Sequence, residues 1–417
     1  MLNIEQHSGI QMIANPHTTS GFTPSFLSKR ETEPVRHLHM SLDDYAATPL
    51  VELSALARRS GVRSILVKDE SQRFGLNAFK ALGGLFALVR VICKHLGLDY
   101  RVITMDWLQE PEIQRVVSNM VFVSATDGNH GRGISWAAGM LGCEAHIYMP
   151  KGSVPARAQA IRDAGRAEVT ITDMSYDDAV RHAAKMAEEN GWFLIQDTSW
   201  PGYEEVPKWI IQGYTTMVYE AVRQMQKMGY SRPTHVFLQA GVGPMAGGVL
   251  GSLKCIYQDA LPCVSIVEPD QVACIFESAL QNDGLPHPAS GSGETIMAGL
   301  NCGEPCQITW PILRDHADFY FACPDSVAAR GMRVLAAPMP GDQPITSGES
   351  GAVTAGLLSL LTSKESLAPF REKLGLDGDS VILLFNTEGN TDPDGFYDVV
   401  YDGAYGMRGT VPGPRHP

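Results

Sequence analysis

Short runs of apolar residues alternate along the chain with longer stretches in which apolar positions recur at helical spacing. The first pair is SILVKDE (64–70), typical of a buried strand, and AFKALGGLFALVRVICKHLG (78–97), typical of a helix. The same order recurs after the strand-like runs VFVSA, EAHIYMP, AEVTITD, WFLIQD, THVFLQAG and CVSIVEP, and a last run is SVILLFNTEGN. This alternation predicts an α/β protein with mostly parallel sheets flanked by helices, and functional groups at the carboxyl ends of the strands.

The length and composition narrow the class of protein. A chain of 417 residues with ordinary apolar content predicts two domains. Residues 1–45 are polar and rich in Pro, Thr and Ser, so we expect an arm over the surface rather than a core element. The formal charge of −13 disfavours nucleic acid and anionic membranes as partners. No segment approaches the run of about 20 apolar residues that spans a bilayer.

The N-terminal sequence and the cysteines predict a cytoplasmic protein. The first residues have neither the basic region nor the unbroken apolar stretch of a signal peptide. The eight cysteines are scattered without a CxxC pair, which favours free thiols. Cys302 and Cys306 are four positions apart but have no obvious partner ligands, so we predict no metal site. A pairing of Cys274 with Cys302 stays open.

Lys80 opens the first long helix in otherwise apolar surroundings, one position after Phe79. An aldehyde cofactor needs an amine that can be neutral near pH 7, and burial lowers the pKa of a lysine toward that condition. The alternative is a lysine that extends along the helix to reach solvent. The position alone leaves both interpretations open.

A second motif is SATDGNHGRG (124–133), in which a strand ends and a helix begins on glycines. Backbone N–H groups at such a turn can bind a carboxylate without a charged side chain. Asp127 lies in this turn; a role as helix N-cap is the alternative. The residues predicted to contact a substrate are Ser124, Thr126, Asp127, Gly128 and His130.

A third motif is QAGVGPMAGG (239–248), again between a strand and a helix. Glycines let the backbone approach a phosphate closely, and the helix dipole favours the negative charge. The predicted cradle is formed by Gly241, Val242, Gly243, Pro244 and Met245. The segment also resembles a dinucleotide fingerprint with Glu268 as the ribose-binding acid, although the spacing is GxGxxxG rather than GxGxxG. An NAD-dependent dehydrogenase therefore stays an alternative.

Two further strand ends carry polar side chains. Thr387 follows the run LLFN and could offer its hydroxyl to a ring nitrogen, or simply cap a turn. Asp197 ends WFLIQD and would face the same cleft. Other templates fail: the chain has no HExxH and no Walker A lysine, and GESGA (348–352) lacks the last glycine of a nucleophile elbow.

Taken in order, these segments resemble the fold-type II pyridoxal-phosphate family, the group of threonine dehydratase, cysteine synthase and the tryptophan synthase β chain. The resemblance covers roughly residues 45–400. It implies that Lys80 holds the cofactor as a Schiff base, that Asn129 contacts it, that residues 241–248 bind its phosphate and that Thr387 contacts its ring nitrogen. It also implies a homodimer with a discontinuous large domain (1–86 and 206–417) and a small domain (87–205).

Within that family, NAFKALGG, TDGNHGRG and QDTSWPGYE resemble the diaminopropionate ammonia-lyases. This closer resemblance implies α,β-elimination of ammonia from D- and L-2,3-diaminopropionate, which gives aminoacrylate and then pyruvate. We expect Lys80 to be the base for the L-isomer, Asp127 the base for the D-isomer, and Asp197 the group that assists the departing amine. A serine or threonine dehydratase of the same family is the nearest alternative.

Overall fold

The computed structural model describes residues 2–17 and 23–406 of the chain. Its strands are β1 (Glu5–His7), β2 (Ile10–Ala14), β3 (Leu50–Glu52), β4 (Ser64–Asp69), β5 (Val121–Ala125), β6 (Glu144–Met149), β7 (Ala167–Ile171), β8 (Phe193–Leu194), β9 (His235–Gln239), β10 (Cys263–Pro269), β11 (Phe319–Cys323) and β12 (Val381–Asn386). Its helices are α1 (Lys29–Met40), α2 (Ser54–Ser60), α3 (Lys80–Leu96), α4 (Met105–Leu108), α5 (Pro111–Val117), α6 (Asn129–Met140), α7 (Pro155–Ala164), α8 (Tyr176–Asn190), α9 (Glu205–Lys227), α10 (Pro244–Tyr257), α11 (Cys274–Gln281), α12 (Trp310–His316), α13 (Asp325–Ala336), α14 (Glu349–Ser363), α15 (Ala368–Leu374) and α16 (Pro393–Val400).

The strands of the described residues form two sheets, which confirms the predicted fold class. The larger sheet has the order β1-β2-β11-β10-β9-β12-β4-β3, and its central strands from β11 to β4 run parallel. The smaller sheet, β7-β6-β5-β8, is entirely parallel. Strands β4, β9 and β12 are buried along their whole length, which explains their nearly continuous apolar sequences.

The two sheets take their strands from different parts of the chain. The small sheet is built from residues 121–194, and the large sheet takes its strands from both sides of that segment. Helix α3 is continuous across the predicted boundary between residues 86 and 87, and α9 begins at Glu205. The boundaries themselves therefore stay predictions.

The prediction of an N-terminal surface arm is wrong for much of residues 1–45. Strand β2 pairs antiparallel with β11, and Ile10, Met12 and Ile13 are fully buried. Helix α1 also buries apolar side chains such as Val35 and Leu38. These few apolar positions, spaced for one strand and one helix face, were hidden by the polar average composition of the segment.

Helix α3 carries Lys80 and is held between α9 and α6 at backbone contact distance. A Cβ atom on Gly213 of α9 would lie 2.5 Å from the Cα of Gly83, and one on Gly133 of α6 would lie 2.9 Å from the Cα of Ala81. Side chains at these positions would therefore push the helices apart. The glycines fix the position of Lys80 relative to both sheets.

None of the described helices is long and apolar enough to cross a bilayer.

Candidate active site

One cavity lies where the carboxyl ends of β9 and β12 face the loops of the small sheet. It is lined by residues of every predicted motif. The predicted residues among its lining are Lys80, Asp127, Asn129, Asp197, Gly241, Val242, Gly243, Pro244, Met245 and Thr387. Because these residues span more than 300 positions of sequence, only the fold brings them together.

Lys80 forms an ion pair with Asp197 at the cavity wall. The Lys80 Nζ atom lies 2.5 Å from Asp197 Oδ2. Burial is the largest single influence and works to lower the pKa of Lys80, but the charges of Asp197, Tyr214 and Asp127 together with the hydrogen bond to Asp197 outweigh it, so the pKa is raised above its ordinary value. The expectation that burial makes this lysine neutral is therefore wrong, because the carboxylate that pairs with it is 117 residues away in sequence. The ion pair with Asp197 thus favours the ammonium form of Lys80.

Asp197 is the ionised acid of the cavity. Burial works to raise its pKa, but the neighbouring His130 ring and the Lys80 ammonium lower it to about 2. His130 Nε2 lies 2.8 Å from the carbonyl oxygen of Ile195 and therefore carries a proton. Since burial also lowers the pKa of His130, the Lys80 ammonium is the larger positive charge near neutral pH. Asp197 can therefore pair with a cation in the cavity.

Asp127 has the opposite tendency. Burial raises its pKa, against the opposing charges of Lys80 and Arg157. The helix N-cap position is held by Gly128 rather than Asp127, and the side chain that accepts from the first turn of the helix is Thr126, at the N–H of Gly131. A Cβ on Gly128, where φ is +153°, would lie 3.2 Å from Arg157 Cδ, so the turn packs closely over the arginine stem. Asp127 is thus the more basic of the two carboxylates.

Four residues predicted to contact the substrate do not line the cavity: Ser124, Thr126, Gly128 and His130. Ser124 Oγ donates to the carbonyl oxygen of Ile195 at 2.7 Å. Thr126 Oγ1 accepts from the N–H groups of Gly128 and Gly131, each at 3.0 Å. These side chains hold the turn in place, which is a positioning role and differs from the predicted substrate contact. The Thr126 hydroxyl bonds within the turn, and the Ser124 hydroxyl joins the turn to the backbone after β8.

Asn129 is oriented by an acid that the sequence did not single out. Its Nδ2 donates to Glu388 Oε2 at 2.6 Å, and Glu388 Oε1 accepts from the N–H of Ser350 at 3.0 Å. Nearby, Arg157 Nη2 lies 3.8 Å from Glu349 Oε1. Burial and the charge of Glu388 raise the pKa of Glu349 to about 7. The two glutamates thus tie α14 and the end of β12 to the small sheet beside the cavity.

The glycine turn after β9 has the geometry of an anion cradle. Gly243 has φ of +105°, a conformation that favours glycine, and Pro244 begins α10. A Cβ on Gly241 would lie 3.1 Å from the Cα of Leu300, so a larger residue would crowd the turn. The first N–H groups of a helix lack partners within it and favour negative charge. These groups line the cavity and can bind a phosphate.

Glu268 does not support a dinucleotide site. It is fully buried and accepts from the backbone N–H groups of Ile275 and Phe276, at 2.8 and 2.6 Å. Burial raises its pKa to about 8. The Glu268 carboxyl group binds the start of α11 and does not line the cavity, so it is not available to a ribose. The NAD-dependent dehydrogenase alternative therefore has no support from Glu268 as a ribose-binding acid.

Thr387 lies at the cavity wall directly after β12, and Gln239 ends β9 beside it. Gln239 Nε2 donates to Thr387 Oγ1 at 3.0 Å and to the carbonyl oxygen of Phe385 at 2.9 Å. Both side chains are at most 5 % exposed. The threonine hydroxyl therefore accepts one hydrogen bond and keeps its own proton for another partner.

Sequence patterns missed several residues of the cavity wall. Those that were missed include Tyr176, Gln239, Cys302, Ser350 and Glu388. Gln239 and Glu388 could have been found as polar residues at strand ends, next to motifs already identified. Tyr176 begins a surface helix, and no local pattern marks it. Its hydroxyl accepts from Gln196 Nε2 at 3.1 Å, and burial raises its pKa well above the ordinary value, so it remains protonated.

Comparison with known proteins gives a consistent result. Residues 42–370 match the family model described as pyridoxal-phosphate dependent enzyme. The diaminopropionate ammonia-lyase of Salmonella typhimurium is 48% identical over 92% of this chain and 95% of its own length. The crystal structure of the holo form of the Escherichia coli diaminopropionate ammonia lyase is 44% identical, with a TM-score of 0.90 over 98% of this chain and 100% of the other. The Escherichia coli enzyme in complex with an aminoacrylate-PLP azomethine reaction intermediate has a TM-score of 0.88 over 97% and 99%.

Proposed function

The chain belongs to the diaminopropionate ammonia-lyases of the pyridoxal-phosphate-dependent enzyme family, and from this premise we propose how its residues carry out the reaction. It is a carbon–nitrogen lyase with pyridoxal phosphate as its cofactor. The reaction is α,β-elimination of ammonia from 2,3-diaminopropionate, which gives aminoacrylate and, after hydrolysis, pyruvate and a second ammonia. The proposed residue roles rest on one cavity that is lined by one lysine, two aspartates of different basicity and an anion cradle.

The donors that line the cavity fit the cofactor. Lys80 offers the amine for the aldehyde, the glycine turn from Gly241 to Gly243 offers backbone N–H groups for the phosphate, and Thr387 offers a hydroxyl for the ring nitrogen. Asn129, held by Glu388, offers its remaining amide atoms at the same wall. When bound, pyridoxal phosphate supplies an electron-withdrawing ring that acidifies the hydrogen on the α-carbon of the substrate.

Asp197 selects the substrate through charge. Its carboxylate is ionised and has the Lys80 ammonium as its counter-ion. When the amine of Lys80 is engaged elsewhere, Asp197 needs another cation, and the β-ammonium group of diaminopropionate supplies one. Serine and threonine offer only a neutral hydroxyl, which would leave a buried carboxylate unpaired. The same contact keeps the departing nitrogen protonated.

Lys80 and Asp127 remove the α-proton from opposite faces of the bound substrate. One base reaches only one face, so an enzyme that accepts both isomers needs a second. We assign Lys80 to the L-isomer and Asp127 to the D-isomer. The raised pKa of Asp127 supports this assignment, because a more basic carboxylate is the better proton acceptor.

The alternative within the family is a serine or threonine dehydratase, and a comparison of substrates distinguishes the two activities. Purified enzyme is given D- or L-diaminopropionate, serine or threonine, and the release of keto acid and ammonia is followed. We expect pyruvate and two equivalents of ammonia from each diaminopropionate isomer, and kcat/KM at least about 100-fold lower for the hydroxy amino acids, since a buried unpaired charge costs several kcal/mol. A preference for serine or threonine would contradict the proposal.

We also propose a homodimer in the cytoplasm. The family resemblance implies the dimer, and the exposed Tyr397 of α16 and Tyr401, directly after that helix, offer an aromatic surface of the kind enriched at interfaces. All eight cysteines are free thiols, the state that a reducing compartment maintains. Sedimentation equilibrium measures the assembly directly, and a monomer mass would contradict the dimer.

A further inference from the structure

Gln239 connects the ends of two neighbouring strands of the large sheet. Strands β9 and β12 pair in parallel, with Leu384 opposite Phe237 as the last recorded pair. Beyond that pair, the side-chain amide of Gln239 continues the ladder by donating to the carbonyl oxygen of Phe385. The same nitrogen donates to Thr387 Oγ1. The glutamine side chain thus reaches from one strand end to the residue expected beside the ring nitrogen.

The carbonyl of Phe385 fixes which way the amide faces. A carbonyl oxygen only accepts hydrogen bonds, so the –NH₂ group of Gln239, not its oxygen, must face Phe385. Among the described residues no donor reaches Gln239 Oε1, so nothing favours the opposite orientation. Because –NH₂ only donates, Thr387 Oγ1 must accept. The single proton of the Thr387 hydroxyl is then left for a group in the cavity.

We propose that Gln239 is a positioning residue that sets the direction of the Thr387 hydroxyl proton and thereby keeps the cofactor ring nitrogen unprotonated. This inference rests on the proposed place of Thr387 at the ring nitrogen. If the Thr387 hydroxyl donates its proton to the ring nitrogen, that nitrogen accepts with its lone pair and is unprotonated. If the hydroxyl is reversed, its oxygen presents a lone pair instead and favours a protonated ring nitrogen. An unprotonated ring is the weaker electron sink, which suits elimination because the leaving group takes up the electrons promptly.

The direct test replaces Gln239 by glutamate in the holoenzyme. A carboxyl group presents an acceptor to Thr387 whether it is ionised or uses its one proton on Phe385, so the hydroxyl turns toward it. The protein is loaded with pyridoxal phosphate labelled with ¹⁵N in the ring, and the ¹⁵N resonance is recorded without substrate. For Gln239→Glu we expect this resonance to shift toward that of the protonated ring, with a roughly tenfold loss in kcat, the size of one hydrogen bond. An unchanged resonance in well-folded Gln239→Glu would overturn the proposal.

Two further variants separate positioning from general damage. Thr387→Val removes the hydroxyl, so adding Gln239→Glu to it should not move the resonance further. Gln212→Glu makes the same change at a buried glutamine of α9 that does not line the cavity, and it should leave the resonance at the wild-type position. A further shift in the Thr387→Val background, or an equal shift in Gln212→Glu, would overturn the assignment.

If Gln239→Glu does not fold, Gln239→Met removes the donor and should give a smaller shift in the same direction. An unmoved resonance in that variant would again overturn the proposal. The proposed function fails separately: a wild-type enzyme that does not cleave diaminopropionate contradicts the substrate assignment, whatever the ring-nitrogen resonance shows.

Discussion

Asp197 holds Lys80 as an ammonium, and its replacement by asparagine should lower the pKa of Lys80. The Nζ and Oδ2 atoms are 2.5 Å apart, and the two side chains are 20% and 7% exposed, so solvent screens the pair weakly. An opposite charge at such a distance raises a lysine pKa by about 1 to 3 units. Without the carboxylate, burial is left as the largest influence, and it lowers the pKa. A lower pKa means more free amine at any pH below it, about tenfold for each unit.

The assay is competitive labelling of amines in the cofactor-free protein. A limiting amount of acetic anhydride is added at pH values from about 7 to 11, the range in which lysines titrate, and each labelled peptide is quantified by mass spectrometry. Lys94, which is 65% exposed, serves as the internal reference. At pH 9, Lys80 should label about 10 to 1,000 times faster in Asp197→Asn than in wild type.

Asp197→Glu keeps the charge and is the matched control, with a titration close to that of the wild-type protein. The reasoning would be refuted if Lys80 titrated identically in the wild-type protein and in Asp197→Asn, since the charge of Asp197 would then have no influence on the amine.

Three other changes test separate parts of the account. Asp127→Asn should slow turnover of D-diaminopropionate by about 10² to 10⁴ and that of the L-isomer far less; equal losses for both isomers would contradict the assignment of faces. Glu220 accepts from Lys68 Nζ at 2.6 Å and Arg73 Nη2 at 2.7 Å in the buried network between β4 and α9, so Glu220→Gln should cost about 3 to 5 kcal/mol in urea unfolding at pH 7. The pKa of Glu220 is lowered from 4.5 to about 2, so the ionised carboxylate contributes its full stabilisation above pH 4.5 and loses it toward pH 2. A difference in unfolding free energy between wild type and Glu220→Gln that does not shrink as the pH falls would contradict this. Gly213→Ala places a methyl group 2.5 Å from Gly83 and should destabilise the fold by about 1 to 3 kcal/mol and weaken cofactor binding, whereas unchanged stability and affinity would show that the α3–α9 contact can relax.

The sequence predicted the strand ends of the site better than the contacts between them. Gly243 and Thr387 each follow a buried apolar run, and period and turn chemistry identify such positions locally. The Lys80–Asp197 pair joins residues 117 positions apart. No local sequence pattern reveals a contact between residues so far apart. The sequence therefore predicted a lowered pKa for Lys80, whereas the pKa is raised. The sign of a buried pKa shift depends on the partner, and the partner depends on the fold.

The N-terminal strands and the residues behind the first motifs show a similar limit. Met12 is buried only because β11 leaves an edge for β2 to cover, which is a property of the whole sheet. Ser124 and Thr126, which belong to the same motif as Asp127, were expected to touch the substrate. Their hydroxyls bind neighbouring backbone instead. Sequence adjacency thus identifies the loop but not which of its side chains face the cavity.

The central claim is that Lys80 carries the cofactor of a diaminopropionate-cleaving enzyme, and the most direct measurement locates the covalent bond. Holoenzyme is reduced with sodium borohydride, which makes the link between amine and cofactor permanent, and is then digested and sequenced by mass spectrometry. We expect a pyridoxyl group on Lys80, and its loss when D- or L-diaminopropionate is added before reduction. A pyridoxyl group on another lysine, or a Lys80 label that neither isomer displaces, would contradict it.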